Sequence, residues 1–296
     1  MKRIQYKKPL VWLLWHPHQG FWNWDLFRII KKIFTLKLIY KLVCGMIILI
    51  DTIILFVRVL YRRVSKVGLL KTLFFTQTVP NGISILYFDL GTHKDAKELS
   101  LMVNKILPRI CESYEAYGFE AIQEYFLQAQ KKFVNKKNVT IIQAALCYVI
   151  PNNGKVKLYK GTGDGLGSSI YRTDYIEYEE VEAIRFSDWL REKNFIFKNR
   201  ICLLRMNIEG SEYDVIMDLV NNGFAKHIDG YYGMWDDLSK IDIQRYEEFR
   251  DFLAKNQIFP FTFNGRDFLF PLRLRCIEYD IRTSVQATLR KIKKFE

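Results

Sequence analysis

The sequence lacks the cysteine patterns that are typical of disulfide-stabilised or zinc-binding proteins. Its five cysteines are odd in number and far apart, and no two of them have Cys-x-x-Cys spacing. A disulfide framework and a zinc knuckle are therefore not indicated. The sequence also lacks an early apolar run followed by small residues, which argues against a secretory signal peptide. These absences favour a reducing location, with the folded part of the chain in the cytoplasm.

The main part of the chain also lacks the charge imbalance that is typical of nucleic-acid-binding proteins. The net charge is +13, but residues 1–72 contain 14 Lys or Arg and only two acidic residues. The remaining 31 basic and 30 acidic residues nearly cancel, and they form no basic and aromatic stripe. We therefore predict no nucleic-acid partner, and an enzyme that acts on RNA is disfavoured. Internal repeats and low-complexity tracts are also absent, and a 49% hydrophobic composition is sufficient for a folded core.

Residues 1–72 are predicted to form a basic, aromatic-rich, helical segment that associates with a membrane. Its most apolar stretch runs from Leu42 to Val57 and contains one charge, Asp51. A spanning helix needs roughly 20 apolar residues, and a carboxylate near its centre costs roughly 3 kcal/mol. A position in the bilayer interface is therefore favoured over a spanning one. The alternative is a helical pair packed on the domain that follows or on a second subunit, so homo-oligomerisation stays open.

After residue 72 the pattern changes to alternating strands and helices, which predicts an α/β sheet. A strand from Ile83 to Asp89, a turn at Gly91 and a helix from Lys94 to Leu107 form a unit of the kind that begins a nucleotide-binding sheet. Asp89 and Gly91 are therefore candidate ligand contacts. A second strand, from Tyr114 to Glu120, ends in a carboxylate that can accept hydrogen bonds from both hydroxyls of a ribose. The alternative is that Glu120 is a solvated glutamate at the start of a helix.

The stretch from Arg200 to Leu219 predicts a buried strand, a sharp turn and a helix. The turn, Asn207 to Glu212, places polar side chains at the carboxyl end of the strand, where ligands bind in open α/β sheets. Ser211 is predicted to cap the helix, with Glu212 in its first turn.

The other predicted elements follow from shorter patterns. They are a third strand at 138–146, a hairpin around Asn153-Gly154, a mobile glycine-rich loop at 161–169, a strand at 180–186, a helix capped by Ser187, a strand at 225–231, a helix at 242–254 and an antiparallel pair at 258–263 and 267–270.

Four motifs resemble those of the FkbM-type S-adenosylmethionine-dependent methyltransferases. They are Phe88 to His93, Gly118 to Ala121, Val181 to Leu190 and Leu204 to Glu212. The resemblance covers about residues 83–270. It implies a Rossmann-like methyltransferase sheet with helices on both faces, assigned here to residues 73–275, and leaves residues 276–296 as a basic tail. It further implies S-adenosylmethionine as cofactor and methylation of a hydroxyl, often on a sugar or natural product.

The same resemblance, together with the strand ends, gives roles to individual residues. Asp89, Gly91, His93, Glu120 and Asn207 are assigned to the cofactor, although His93 could be structural. Glu209 is the first candidate for general base or for acceptor of a substrate hydroxyl, with Glu212 and Asp229 as reserves. The alternative is that Glu209 and Glu212 only orient the backbone of the turn.

Two residues depart from the family pattern, and they change what is expected of the site. Asn207 stands where the family usually has an aspartate, and an amide is neither a base nor a good ligand for a hard cation, so no metal is predicted. Asp95 replaces a small residue and is expected to crowd the methionine end of the cofactor.

The sequence therefore predicts a membrane-associated O-methyltransferase with a cytoplasmic catalytic domain. Its acceptor would be a saccharide, either part of a glycan or lipid-linked, at a membrane surface. The alternative is a membrane scaffold or binding protein built on a catalytically degenerate methyltransferase fold.

Overall fold

The computed structural model describes residues 79–161, 167–235 and 237–262, and also nine single positions: Gly45, Met46, Leu49, Ile50, Ile53, Ile281, Val285, Thr288 and Leu289. The chain divides into two units, residues 1–76 with 266–280 and residues 77–265 with 281–296. The predicted domain boundaries at 72 and 275 stay predictions. Of the N-terminal segment, the five described positions are helical, and the rest lies outside the described residues.

The described part of the second unit contains nine strands and six α-helices. The strands are β1 (Ser84–Leu90), β2 (Tyr114–Glu120), β3 (Val139–Gln143), β4 (Ala145–Leu146), β5 (Lys155–Tyr159), β6 (Tyr178–Ile184), β7 (Arg200–Met206), β8 (Gly230–Gly233) and β9 (Phe261–Thr262). The helices are α1 (Lys97–Leu101), α2 (Leu107–Ile110), α3 (Gln123–Phe133), α4 (Phe186–Glu192), α5 (Glu212–Asn221) and α6 (Ile243–Lys255). A π-helical segment, Met102–Ile106, joins α1 to α2, and two 3-10 segments, Ala225–His227 and Asp237–Lys240, complete the described elements.

Six strands form one parallel sheet in the order β3-β2-β1-β7-β8-β9. The chain builds outward from β1 in one direction and then continues from β7 in the other. The loops that leave β1 and β7 therefore separate at the carboxyl edge, and such a switch point is where open α/β sheets bind ligands.

Helices cover both faces of this sheet, as the sequence predicts. Leu86, Phe88 and Leu90 of β1 share an apolar cluster with residues of α4, α5 and α6. On the other face, Tyr114 donates a hydrogen bond of 2.8 Å to the Val103 carbonyl of the π-helical segment. Tyr114 is the register partner of Ile85 in β1, and successive side chains of a strand point to opposite faces, so Ile85 and Leu86 face different helices.

Three strands form a second, smaller sheet in the order β4-β6-β5, which corrects two predictions. The third strand predicted at 138–146 is broken, since β3 belongs to the large sheet and β4 to the small one. The predicted hairpin is wrong although its turn exists, with Gly154 N–H donating to the Pro151 carbonyl. The strand after the turn, β5, pairs with β6 from later in the chain and not with β4. β6 lies between β4 and β5, and it pairs in parallel with β4 and antiparallel with β5.

Three smaller predictions also need correction. Ser187 does not cap α4, because Arg185 occupies that position and the Ser187 hydroxyl donates instead to Asp218 over 2.7 Å. The strand predicted at 225–231 begins only at Gly230 and follows a 3-10 turn. The closing segment forms β9, which pairs in parallel with β8. Its predicted antiparallel partner at 267–270 lies outside the described residues.

Candidate active site

An open cleft lies at the carboxyl edge of the large sheet, beside the switch point between β1 and β7. Its empty volume is about 720 Å³, part of it open to solvent. Of the eight residues predicted for the site, five line the cleft: Gly91, His93, Glu120, Asn207 and Glu209. The other three, Asp89, Glu212 and Asp229, do not line it.

Glu120 ends β2 with its carboxylate held in a fixed orientation. Its Oε2 accepts the N–H of His93 over 2.8 Å, and its Oε1 accepts the N–H of Ile122 over 3.0 Å. Burial raises the pKa of Glu120, although hydrogen bonds from the N–H groups of Ile122, His93 and Ala121 oppose that shift. An ionised carboxylate has about four acceptor positions, so these bonds leave capacity for a ligand. The arrangement suits two adjacent hydroxyl groups, as predicted for a ribose.

The wall next to Glu120 is apolar. It consists of Ala121, Ile122, Ala144, Ala145 and Leu146, with Tyr125 nearby. Small and aliphatic side chains suit the face of a flat aromatic ring. A carboxylate for two hydroxyls beside an apolar wall is what an adenosine needs, so the residues present fit the nucleoside part of S-adenosylmethionine.

Gly91 is required by the close approach of two loops. Its φ is +85°, and a Cβ at this position would lie 2.0 Å from the Asn207 carbonyl oxygen. The Asn207 N–H in turn donates to the Leu90 carbonyl over 2.9 Å. Gly91 thus lets the β1 loop and the β7 turn meet at the edge of the cleft.

Asp89 does not reach the cleft, because its side chain points into the interior of the protein. It is fully buried and forms an ion pair with Arg205 in β7 at 2.7 Å. The same guanidinium nitrogen donates to the Gly91 carbonyl over 2.7 Å. Burial raises the pKa of Asp89, and Arg205 opposes that shift. Direct contact of Asp89 with a cofactor is therefore not supported. The ion pair holds the loop that carries Gly91.

His93 lies at the cleft in a left-handed backbone conformation, with φ +61°. Its ring meets the Tyr125 ring edge-on, with centroids 5.2 Å apart. Asp95, which was expected to crowd the cofactor, instead points outward and pairs with Lys97 and Lys132. That expectation is wrong, because the left-handed turn at His93 directs the next residues away from the cleft.

Glu209 faces the cleft from the turn after β7. Its φ is +51°, which is rare for a residue with a side chain. Burial, reinforced by the nearby Asp237 carboxylate, raises the pKa of Glu209 to about 7. Asn207 lies in the same turn, and among the described residues no group donates a hydrogen bond to its buried Oδ1. Both side chains are thus available to a ligand.

Glu212 holds the turn and does not line the cleft. Its two oxygens accept the N–H groups of Ile208 and Gly210, each over 2.8 Å. Burial raises the pKa of Glu212 to about 8. The predicted position of Glu212 in the first turn of α5 is correct, but its carboxylate is committed to the backbone. Ser211 is the residue before α5, as predicted, yet its side chain makes no capping bond.

Asp229 lies at the opposite edge of the sheet, so its assignment as a reserve base is wrong. Its Oδ2 accepts the N–H of Cys202, near the start of β7, over 2.9 Å. Its Oδ1 accepts the hydroxyl of Thr288 over 3.0 Å. Asp229 precedes β8 and therefore belongs to the amino ends of the strands, away from the cleft.

The wall that the small sheet contributes to the cleft is not predicted from sequence patterns. Leu158, Gly167, Ser168 and Ile170 line the cleft from β5 and the segment after it. The sequence suggested only a mobile loop over a site at 161–169, and residues 162–166 lie outside the described part. Asp237, 4% exposed, lies close enough to Glu209 to affect its pKa, and sequence patterns predict no role for it. Among the described residues, no group of three or more His, Cys, Asp or Glu could hold a metal ion.

The parallel sheet with helices on both faces, together with the position of the cleft, defines a Rossmann-like α/β methyltransferase fold. The model of the methyltransferase FkbM domain matches residues 90–253, which is more than half of the chain, and the chain belongs to this family. No curated protein matches the chain.

Proposed function

We propose that the protein transfers the methyl group of S-adenosylmethionine to a hydroxyl group of a saccharide. The observation that carries this proposal is the pair of carboxylates at one cleft. Glu120, at the end of β2, is oriented for a diol, and Glu209, at the end of β7, has a pKa near neutrality. The first suits the ribose of the cofactor and the second suits the acceptor hydroxyl.

The chain's own residues would bind the cofactor, orient the acceptor and move one proton. Glu120 accepts hydrogen bonds from the two ribose hydroxyls, and the adenine base lies against the apolar wall beside it. When bound, S-adenosylmethionine supplies an electrophilic methyl group on a sulfonium. Glu209 accepts the proton that the acceptor hydroxyl loses, and a base with a pKa near the working pH is efficient at this. Most of the rate enhancement comes from holding the two reactants in line.

Membrane association is the second part of the proposal. Four described residues of the N-terminal helix, Met46, Leu49, Ile50 and Ile53, are apolar and 41 to 62% exposed. Their spacing of three, four and seven residues places them on one helical face, here called the apolar stripe. The segment that contains them is strongly basic. An apolar stripe with basic neighbours suits a bilayer interface with anionic lipids, where the acceptor would be a lipid-linked or membrane-proximal saccharide. Among the described residues, no helix is long and apolar enough to span a membrane.

Cofactor binding is the direct test of the methyltransferase proposal. We expect calorimetry to show binding of S-adenosylmethionine and S-adenosylhomocysteine to the full chain. Glu120→Gln should weaken both about 10-fold to 100-fold, since a hydrogen bond to a charged group contributes about 1.5–3 kcal/mol. Glu124→Gln, which changes an exposed glutamate in the first turn of α3, is the matched control and should bind like the wild type. Absence of binding to the wild type, or equal binding by both variants, would contradict the proposal.

Turnover separates this function from a cofactor-binding scaffold, the second candidate. Asn207 favours the scaffold, because an amide cannot accept the proton that an aspartate could. Transfer of a labelled methyl group to a panel of free and lipid-linked saccharides decides between the two. Activity that disappears in Glu209→Gln supports the enzyme. Tight cofactor binding without transfer to any acceptor supports the scaffold.

A further inference from the structure

The backbone of Glu209 is held at three points, and only two of them come from its own turn. Glu212 binds the N–H groups on either side of Glu209, those of Ile208 and Gly210. The third contact is the Ser169 hydroxyl, which donates to the Glu209 carbonyl over 2.6 Å. A left-handed conformation costs a residue with a side chain about 1 kcal/mol or more, so it persists only where the surroundings hold it.

Ser169 is itself fixed in place by the small sheet. It is 1% exposed, and its N–H and carbonyl exchange two hydrogen bonds of 3.0 Å with Tyr159, the last residue of β5. Its hydroxyl oxygen also accepts the N–H of Tyr171 over 3.1 Å. The hydroxyl therefore has one acceptor and one donor, and its direction toward Glu209 is determined.

The segment that follows Ser169 is tied to the helices behind the turn. The Tyr171 hydroxyl donates to Asp214 in the first turn of α5. Arg245 of α6 pairs with the same carboxylate and lies over the Tyr171 ring, 4.3 Å from its centroid. Residues 169–171 thus connect the small sheet to the turn that carries Glu209 and to both helices next to it.

We propose that Ser169 is a positioning residue for Glu209: its hydroxyl holds the Glu209 carbonyl in the left-handed turn that directs the carboxylate into the cleft. The proposal rests on the role of Glu209 as base in the proposed function. Without the hydroxyl, the Glu209 peptide unit can rotate toward a conformation of lower energy, and its carboxylate turns toward solvent. The raised pKa of Glu209 depends on burial next to Asp237, so it falls when the turn relaxes.

The test compares Ser169→Thr with Ser169→Val in the full chain. Threonine and valine have nearly the same shape, so the two variants differ mainly in the hydroxyl. The ionisation midpoint of Glu209 is followed by NMR of carboxyl-labelled glutamate, with the signal assigned by its loss in Glu209→Gln. We expect the Thr variant to keep the midpoint of the wild type. In the Val variant the midpoint should fall toward the ordinary value of a glutamate, about 4.5.

Two controls separate positioning from a general loss of stability. Ser187→Ala removes a buried hydroxyl that bonds to Asp218, away from the cleft, and should leave the Glu209 midpoint unchanged. Ser169→Ala adds no bulk and serves as the hydroxyl-free variant if valine prevents folding. Equal midpoints in Ser169→Thr and the hydroxyl-free variant would overturn the role of Ser169.

Cofactor binding keeps this test independent of the proposed function. S-adenosylhomocysteine is expected to contact the Glu120 side of the cleft. Calorimetry should therefore give equal affinities for the wild type, Ser169→Thr and Ser169→Val. If the wild type does not bind, the methyltransferase proposal fails. If it binds but the Glu209 midpoint does not respond to the hydroxyl, only the proposal for Ser169 fails.

Discussion

Glu209 places a carboxylate in a backbone conformation that glycine adopts at lower cost. Strained residues of this kind concentrate at functional sites, where the surrounding structure over-determines them. Here the surroundings are Glu212 and Ser169, whose side chains bond to the backbone of the turn. A glycine at this position would relieve the strain but would also remove the carboxylate from the cleft. The protein thus keeps an unfavourable local conformation together with a chemically useful group.

The raised pKa of Glu209 predicts how the free energy of unfolding depends on pH. The pKa is about 7 in the folded state and about 4.5 in the unfolded state, so the folded protein binds more protons between these values. The resulting stabilisation is complete below pH ~4.5 and is lost as the pH rises through 7. Glu209→Gln cannot titrate and should be about 1 kcal/mol more stable than the wild type at pH 8, after allowance for its partial exposure.

Urea unfolding of both proteins between pH 5 and 8 measures this difference. The variant should show a flatter profile than the wild type, while Glu124→Gln should follow the wild type. Parallel profiles of Glu209→Gln and the wild type would show that the Glu209 carboxyl titrates normally.

The cleft depends on two loops that cross at the carboxyl edge. The loop after β1 passes so close to the turn after β7 that the Asn207 carbonyl occupies the space of a side chain at Gly91. Arg205 of β7 reaches under this crossing and bonds to the Gly91 carbonyl. The buried ion pair with Asp89 therefore fixes the position of a loop at the site.

Gly91→Ala should disrupt this crossing, and Gly82→Ala is its matched control. Both glycines have nearly the same φ, +85° and +86°, but a Cβ at Gly82 would meet no atom within 4 Å. Gly82→Ala should cost about 1 kcal/mol for the left-handed conformation. Gly91→Ala should cost more than about 2 kcal/mol, because one loop must also move. Urea unfolding and S-adenosylhomocysteine binding measure both effects.

For Gly91→Ala we expect weaker cofactor binding, and for Gly82→Ala we expect binding like that of the wild type. Equal losses of stability in the two variants would show that the crossing loops adjust without cost.

Over the whole molecule, charge is unevenly distributed along the sequence. Residues 1–72 carry nearly all of the net positive charge, and the apolar stripe belongs to the same segment. A basic residue near an anionic bilayer contributes about 1 kcal/mol, so several of them together with the stripe would give the stable attachment that we propose. Such attachment would raise the local concentration of a lipid-linked acceptor.

Liposome flotation tests this attachment with the full chain. The wild type should float with vesicles that contain anionic lipids, and Leu49→Ser with Ile53→Ser should remain largely in the soluble fraction. Leu127→Ser with Val134→Ser is the matched control, since it removes two exposed apolar side chains from α3 and the residue after it. Flotation of the stripe variant at the level of the wild type would contradict membrane binding through the stripe.

The sequence predicts an α/β sheet, the positions of β1, β2 and β7 along the chain, and polar candidate residues at the carboxyl edge of these strands. Periodicity is a local property, so β1, β2 and β7 were predicted within one residue at each end. Glu120 and Glu209 were found because each follows a recognisable strand, and the tertiary structure then brought both to one cleft.

The direction of each polar side chain, and the contacts that fix it, depend on how the chain packs and not on local sequence patterns. Asp89 and Glu212 were assigned to ligands but bind Arg205 and backbone N–H groups, because side-chain direction depends on neighbours that are distant in sequence. The insertion of β6 beside β5, the position of Asp229 at the far edge and the bond from Ser169 to Glu209 all join segments that lie at least 19 residues apart. Such contacts leave no periodic or local signal, so they are established only when the chain is packed.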